Sequence, residues 1–159
     1  MRIELAFVLF LGLLGLGAPA QAQVSTSPQP ALPQNPLVIQ TAKGRVNLTV
    51  EMALTPQQQQ TGLMFRKVLA PNAGMLFDFG RESPQAFWMK NTLIPLDMLF
   101  IKADGTIIRI AAMTKPLSEE TVPSYEPVRV VLEIPGGRAA ELGIQPGDKA
   151  IHRIFAGAR

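Results

Sequence analysis

Apolar and polar residues alternate along much of the chain with the two-residue period of half-buried strands. Residues 45–52 show it most plainly: Val46, Leu48, Val50 and Met52 fall on one face, and Arg45, Asn47, Thr49 and Glu51 on the other. Residues 37–39 read as a short strand before a Lys43-Gly44 turn, and residues 75–79 as another with Met75, Phe77 and Phe79 on one side. Thr55-Pro56-Gln57-Gln58 breaks the alternation with a capping hydroxyl, a proline at the first helical position and a glutamine three residues after the cap, which predicts a helix to about Lys67. Gly80 to Pro84 reads as a turn. Further strands are predicted over residues 87–90, 96–102, 106–113, 128–134 and 149–154, with Ala103-Asp104-Gly105 reversing the chain as a hairpin. Gly136-Gly137 opens one helical turn, residues 138–142, stopped by Gly143. Residues 114–127, which hold Glu119, Glu120, Glu126 and the only tyrosine, Tyr125, read as a loop long enough to act as a lid.

Some seven short strands at hairpin spacing, with one or two short helices, predict a mainly β fold: a single antiparallel β-sandwich or barrel-like domain. A parallel sheet needs helical crossovers between strands, and the pattern is read as lacking them. The predicted core contains Val46, Leu48, Val50, Met75, Phe77, Trp88, Leu96, Met98, Phe100, Ile110, Val130 and Leu132.

The first 22 residues differ from the rest. Arg2 precedes an apolar run from Leu5 to Leu16, and Ala18, Ala20 and Ala22 follow it, the pattern of a secretory signal peptide cleaved after Ala22, with Ala20 as the alternative. The run is too short for a stable span of a ~30 Å hydrocarbon core, so no transmembrane span is expected in the mature chain. Residues 23–36 are rich in Pro, Gln and Ser and read as a spacer, which leaves residues 37–159 as the folded domain. Export predicts a periplasmic or secreted protein. The chain has no cysteine, so neither a disulfide framework nor a lipidated cysteine is available in that compartment. A net charge of +3 is spread over scattered Lys and Arg without a basic stripe, so nucleic acid is not an expected partner.

The stretch from Phe87 to Ile101 holds the single tryptophan among dense apolar residues, interrupted by Lys90, Asn91 and Asp97. A polar group that loses water must find a partner or cost a few kcal/mol, so these three are candidates for a site. With Arg66 and Trp88 they form a candidate pocket of one guanidinium, one ammonium, one amide and one indole, suited to a small anionic or amide-bearing ligand. Three readings of this set stand side by side: a non-enzymatic binding or interaction domain, whose partner is such a ligand or another envelope protein; a small enzyme using Asp97 as acid or base; and a core network in which the groups satisfy one another. A nucleophilic triad finds little material in one histidine, His152, and Ser83, Ser118 and Ser124 in turn-like sequence. Zinc lacks ligands, and no cofactor is expected. Met64, Met75, Met89 and Met98 lie beside the segments around Trp88; thioethers are soft enough to hold Cu(I), and they also serve as flexible core filler. Glu133 reads as a solvent-facing residue or a partner for Arg109.

Taken together, Gly62-Leu63-Met64-Phe65-Arg66, Gly74-Met75-Leu76-Phe77, Phe87-Trp88-Met89-Lys90-Asn91-Thr92, Pro95-Leu96-Asp97-Met98, Val131-Leu132-Glu133 followed by Gly136-Gly137, and Gly147-Asp148 resemble the family called domain of unknown function 192, over about Val38 to His152. The resemblance implies a compact, mainly β domain, often exported, with no established activity. It carries over no catalytic residue.

Overall fold

A computed structural model describes residues 26–156. The expected leader, residues 1–22, and the beginning of the spacer lie outside the described residues. The elements run β1 (Gln34–Thr41), β2 (Gly44–Ala53), α1 (Pro56–Thr61), β3 (Ala73–Phe87), β4 (Leu96–Ile101), β5 (Ile107–Thr114), β6 (Val122–Pro135), α2 (Arg138–Leu142) and β7 (Lys149–Ile151), with a 3-10 turn at Arg153–Phe155. All seven strands belong to one curled sheet in the order β5-β4-β6-β3-β2-β1-β7, a half-barrel with two short helices. An antiparallel bridge between Thr106 and Lys149 links the two ends of that order.

The sheet is mixed, which corrects the expectation of purely antiparallel pairing: β2 and β3 run parallel, with Met52 opposite Leu76. Parallel neighbours need a crossover, and the segment containing α1 supplies it. The capping box forms as the sequence predicts, with the Gln58 N–H donating to Thr55 Oγ1 and the Thr55 N–H to Gln58 Oε1. The helix ends at Thr61, well short of Lys67, because Gly62 leaves helical geometry at φ 49°. A side chain at Gly62 would also press on the Phe77 ring, 3.3 Å from an added Cβ.

Two further boundaries differ from expectation. Residues 80–84 do not end a strand: β3 runs fifteen residues to Phe87, and the Gly80–Pro84 signal is spent on register shifts against β6. On the other side β6 begins at Val122, so the expected long lid shrinks to the segment before it. Trp88 follows the strand rather than sitting within one, and is 45% exposed instead of core. Val46 and Ile110 are only partly buried, packed on the core's edge.

Both faces of the central strands carry apolar side chains, as near-continuous runs such as Leu96–Ile101 require. One face, with Leu37, Ile39, Leu48, Val50, Leu76, Leu99 and Leu132, fills the inside of the curl with α2 packed against it. The other, with Met75, Phe77, Met98, Phe100 and Val131, is covered by Leu63 and Met89 from the connecting segments. Cross-strand rows alternate between the faces: Leu76, Leu132 and Leu99 form one row, and Met75, Glu133 and Met98 the next. The spacer is not detached at its distal end, since Gln29 reaches the Gly62 carbonyl at 2.8 Å and Leu32 packs into the second cluster.

Candidate functional site

The covered outer face of β3, β4 and β6 is not completely filled. Between α1 with its following turn and the second half of β3 lies a cavity of about 290 Å³. Phe77, Phe79, Phe87, Trp88, Leu63 and Met64 line it, with Gln59, Gln60, Thr61, Gln85 and Thr92 supplying polar groups and Glu133 the single ionisable one. Phe87 is the hub of the aromatic wall, edge-on to Phe77 at 5.1 Å, Phe79 at 6.3 Å and Phe100 at 6.5 Å between ring centroids.

Glu133 is buried rather than solvent-facing, and it forms no ion pair with Arg109, whose guanidinium instead lies between the Phe100 and Tyr125 rings. Its Oε2 has no hydrogen-bond partner among the described residues. Its neighbours across the sheet are the thioether side chains of Met75 and Met98. Burial, with no cation to offset it, pushes its carboxyl from the usual carboxylate range up to about 8. The backbone comes close here too: a Cβ at Gly74 would stand 2.6 Å from the Glu133 carbonyl oxygen, so only glycine lets β3 and β6 approach at this row.

Sequence reasoning passed over Glu133 by treating β6 as one-sided. The missed signal was the run Val130-Val131-Leu132-Glu133-Ile134, in which apolar residues occupy both parities and leave a charged residue no wet face.

The five residues singled out from the sequence are not brought to one point. Arg66 is held by Glu51 in a two-pronged pair, both contacts 2.9 Å, and the same carboxylate accepts the Leu32 N–H at 2.8 Å. Asp97, fully buried on β4, accepts three backbone N–H groups: Met113 and Gly137 at Oδ1, at 2.8 and 2.9 Å, and Ala139 at Oδ2, at 2.8 Å. Lys90 stands 5.1 Å from the centre of the Trp88 ring and 3.4 Å from Glu119. Asn91 adopts the left-handed conformation, φ 56°, and its carbonyl accepts the Phe65 N–H while its amide approaches the Met64 sulfur at 3.8 Å. Trp88 alone of the five lines the cavity. The Ser118 carbonyl and the Leu117 N–H pin the 115–121 segment to Met89 and Thr92, so it braces the cavity wall without forming part of it.

Of the methionines, Met75, Met89 and Met98 share one buried cluster, where the Thr114 hydroxyl lies 3.1 Å from the Met89 sulfur and 2.8 Å from the Leu96 carbonyl. Met64 lies apart from them at the cavity wall. No group of three or more His, Asp or Glu suited to a metal occurs among the described residues.

The residues that make these contacts, Gly62 to Arg66, Gly74 to Phe77, Trp88 to Thr92, Asp97 and Glu133, all fall within residues 38–152, which match the family model DUF192, described as an uncharacterised ancient conserved region. The chain belongs to the DUF192 family. Solved structures similar to it include the following two. A provisionally named transcription regulator from Sinorhizobium meliloti is 46% identical with a TM-score of 0.75, over 77% of this chain and 96% of that one. A protein of unknown function from Novosphingobium aromaticivorans is 39% identical with a TM-score of 0.76, over 87% of this chain and 99% of that one. No curated protein matches. No helix of the described DUF192 residues is long and apolar enough to cross a membrane.

Proposed function

We propose that this DUF192 chain is a non-enzymatic, extracytoplasmic domain that binds a small ligand in the cavity between α1 and β3. The observation that carries the reading is Glu133: a buried carboxyl with an unsatisfied oxygen costs stability, and here it stands in the lining of an aromatic-walled cavity that a small molecule can enter. Export follows from residues 1–22, read as a signal peptide. Arg66, Lys90 and Asn91 belong to the reading as the frame of the wall, and Trp88 as its contact surface. Nucleic-acid binding, which the Sinorhizobium protein's name suggests, gains no support from the charges. Arg66, Lys90, Lys102, Arg129, Arg138 and Lys149 are each committed to a carboxylate of the same chain, and the other Lys and Arg are scattered along the sequence without a basic stripe.

One observation favours a second reading. A cavity carboxyl held near 8 is suited to moving protons at neutral pH, so an enzyme of this fold would use Glu133 as its acid or base in place of Asp97. A thermal-shift screen of the full-length protein against cell-envelope metabolites and metal ions, Cu(I) included, tests the binding reading. A ligand at about 100 times its Kd adds about 2.7 kcal/mol of stability. The expected result is a shift that disappears in Ala86→Phe, which fills the cavity from an exposed lining position. A silent screen overturns the proposal, and turnover of a shifting compound replaces it with the second reading.

A further inference from the structure

The cavity's chemistry is asymmetric. Its walls are aromatic and thioether, its rim is made of amides and hydroxyls, and no Lys, Arg or His lines it. Arg66 is paired with Glu51, Lys90 lies between Glu119 and the Trp88 ring, and Arg109 lies between the Phe100 and Tyr125 rings; Arg66 Nε and Arg109 Nη1 are buried without a partner among the described residues, but neither residue lines the cavity or pairs with Glu133. From the strands beside Glu133 the in-row neighbours are Met75 and Met98, and from α1 the lining residues are Gln59 and Gln60, none of which titrates. Glu133 is therefore an acceptor without a donor, set among rings whose faces attract cations.

Resting on the cavity reading above, we propose that the occupant is an organic ammonium ion with an apolar body, its N–H groups donating to the Glu133 carboxylate and its body against Phe77, Phe87 and Trp88. This narrows the earlier choice of an anionic or amide-bearing ligand. An anion would meet the one acidic group of the cavity and none of its own counter-ions. A neutral amide would satisfy one oxygen without using the cation-attracting rings. Size agrees: about 290 Å³ admits a single-ring amine.

Charge balance fixes a measurable consequence. Glu133 is protonated in the empty cavity below about pH 8, so docking of an ammonium ion ionises the carboxyl and releases one proton to solvent. Affinity then rises with pH by about tenfold per unit until the carboxyl is ionised in the empty site as well, and flattens above that.

Three probes with one aryl body separate the head groups: phenethylamine, phenethyl alcohol and hydrocinnamate. Each is titrated into the full-length protein while the emission of Trp88, the single tryptophan, is followed. Proton release is read by calorimetry in buffers of different ionisation enthalpy. The expected result is saturable binding of the amine alone, with the stated pH slope and one proton released. Glu133→Gln should lose at least about tenfold in affinity, together with the slope. Ala86→Phe leaves Glu133 in place and should abolish the response, which keeps the test decisive if Glu133→Gln folds poorly. Amine binding that is equal in Glu133→Gln, or binding of the alcohol or hydrocinnamate as tight as that of the amine, overturns the ammonium assignment and leaves the cavity reading standing. No response to any of the three also overturns the assignment; the cavity reading falls only if the wider thermal screen is silent too.

Discussion

Asp97 and Glu133 are both buried carboxyl groups, one residue out of register on neighbouring strands: Asp97 pairs with Ile134, and Met98 with Glu133. That single step sends them to opposite faces of the sheet and to opposite fates. Asp97 meets the first residues of α2 and the end of β5, where three N–H groups converge on its two oxygens. Glu133 meets sulfur, aromatic carbon and empty volume. A satisfied buried carboxyl group is a clasp that fixes how elements meet, whereas an unsatisfied one is a cost the fold carries, and such costs collect where a ligand or a reaction uses them.

The contrast breaks most visibly on deletion. Asp97→Ala leaves three N–H groups without their acceptor, the Ala139 one buried and the Met113 and Gly137 ones partly so, and a loss of about 3–4 kcal/mol is expected in urea unfolding. Asp97→Asn keeps Oδ1 for Met113 and Gly137 but turns an NH2 toward the Ala139 N–H, and should cost roughly 2–3 kcal/mol. Glu133→Gln should be neutral or stabilising at pH 7, because it deletes no partner's only hydrogen bond. A loss there as large as that of Asp97→Ala would make Glu133 a second clasp.

A pH titration of stability sharpens the same comparison. The Glu133 pKa is raised from 4.5 unfolded to about 8 folded, so between those values the folded state holds a proton that the unfolded state has released. Stability contributed by this group is therefore full below pH 4.5, falls as pH rises and is lost above about pH 8, by an amount on the order of 5 kcal/mol. Glu133→Gln should remove that decline, making the variant the more stable protein at pH 9. Parallel curves for the two proteins would mean that water or an unseen partner already satisfies the carboxyl.

Most of the fold was legible before any coordinates. The alternation of Val46, Leu48 and Val50, the Asp104-Gly105 reversal, the capping box at Thr55 and the glycines flanking residues 138–142 each reported a local preference that the tertiary structure keeps. What failed was anything that required knowing which strands are covered twice. Trp88 looked like core because apolar residues surround it in sequence, yet it lies beyond the end of β3. Asp97 in an apolar run allows both a site and a core-network reading, and the sequence does not name its three backbone partners because they lie sixteen to forty-two positions away. Glu133 looked ordinary because alternation was assumed where both faces are buried. No local pattern reports a cavity formed by a crossover helix and the far half of a fifteen-residue strand.

Glu51 offers an intermediate case between the two carboxyls. It is buried and held by a two-pronged guanidinium contact from Arg66, which leaves it far better satisfied than Glu133 but dependent on one side chain. Arg66→Ala leaves it only the Leu32 N–H and should cost about 2–3 kcal/mol, less than Asp97→Ala. Arg66→Lys should recover only part of that, since a single ammonium cannot reproduce both contacts. Full recovery in urea unfolding would show that charge alone, without the fork, holds Glu51.

The smallest effect is expected at the cavity's outer wall. Lys90 and Glu119 are 40% and 64% exposed at the side chain, so their 3.4 Å pair is screened by water and repaid little for the rotamer freedom it costs. Glu119→Gln should change stability by less than about 0.5 kcal/mol, and the residual change should vanish in high salt. The same variant frees the Lys90 ammonium that lies over the Trp88 ring. If that ammonium competes with a bound cation for the indole face, Glu119→Gln should weaken phenethylamine binding by a few fold through like-charge repulsion at this range. Lys90→Met should do the reverse. An unfolding change of several kcal/mol from either substitution would place the pair with Asp97 among the clasps; opposite shifts in amine affinity at nearly constant stability would place it with Glu133 at the binding site.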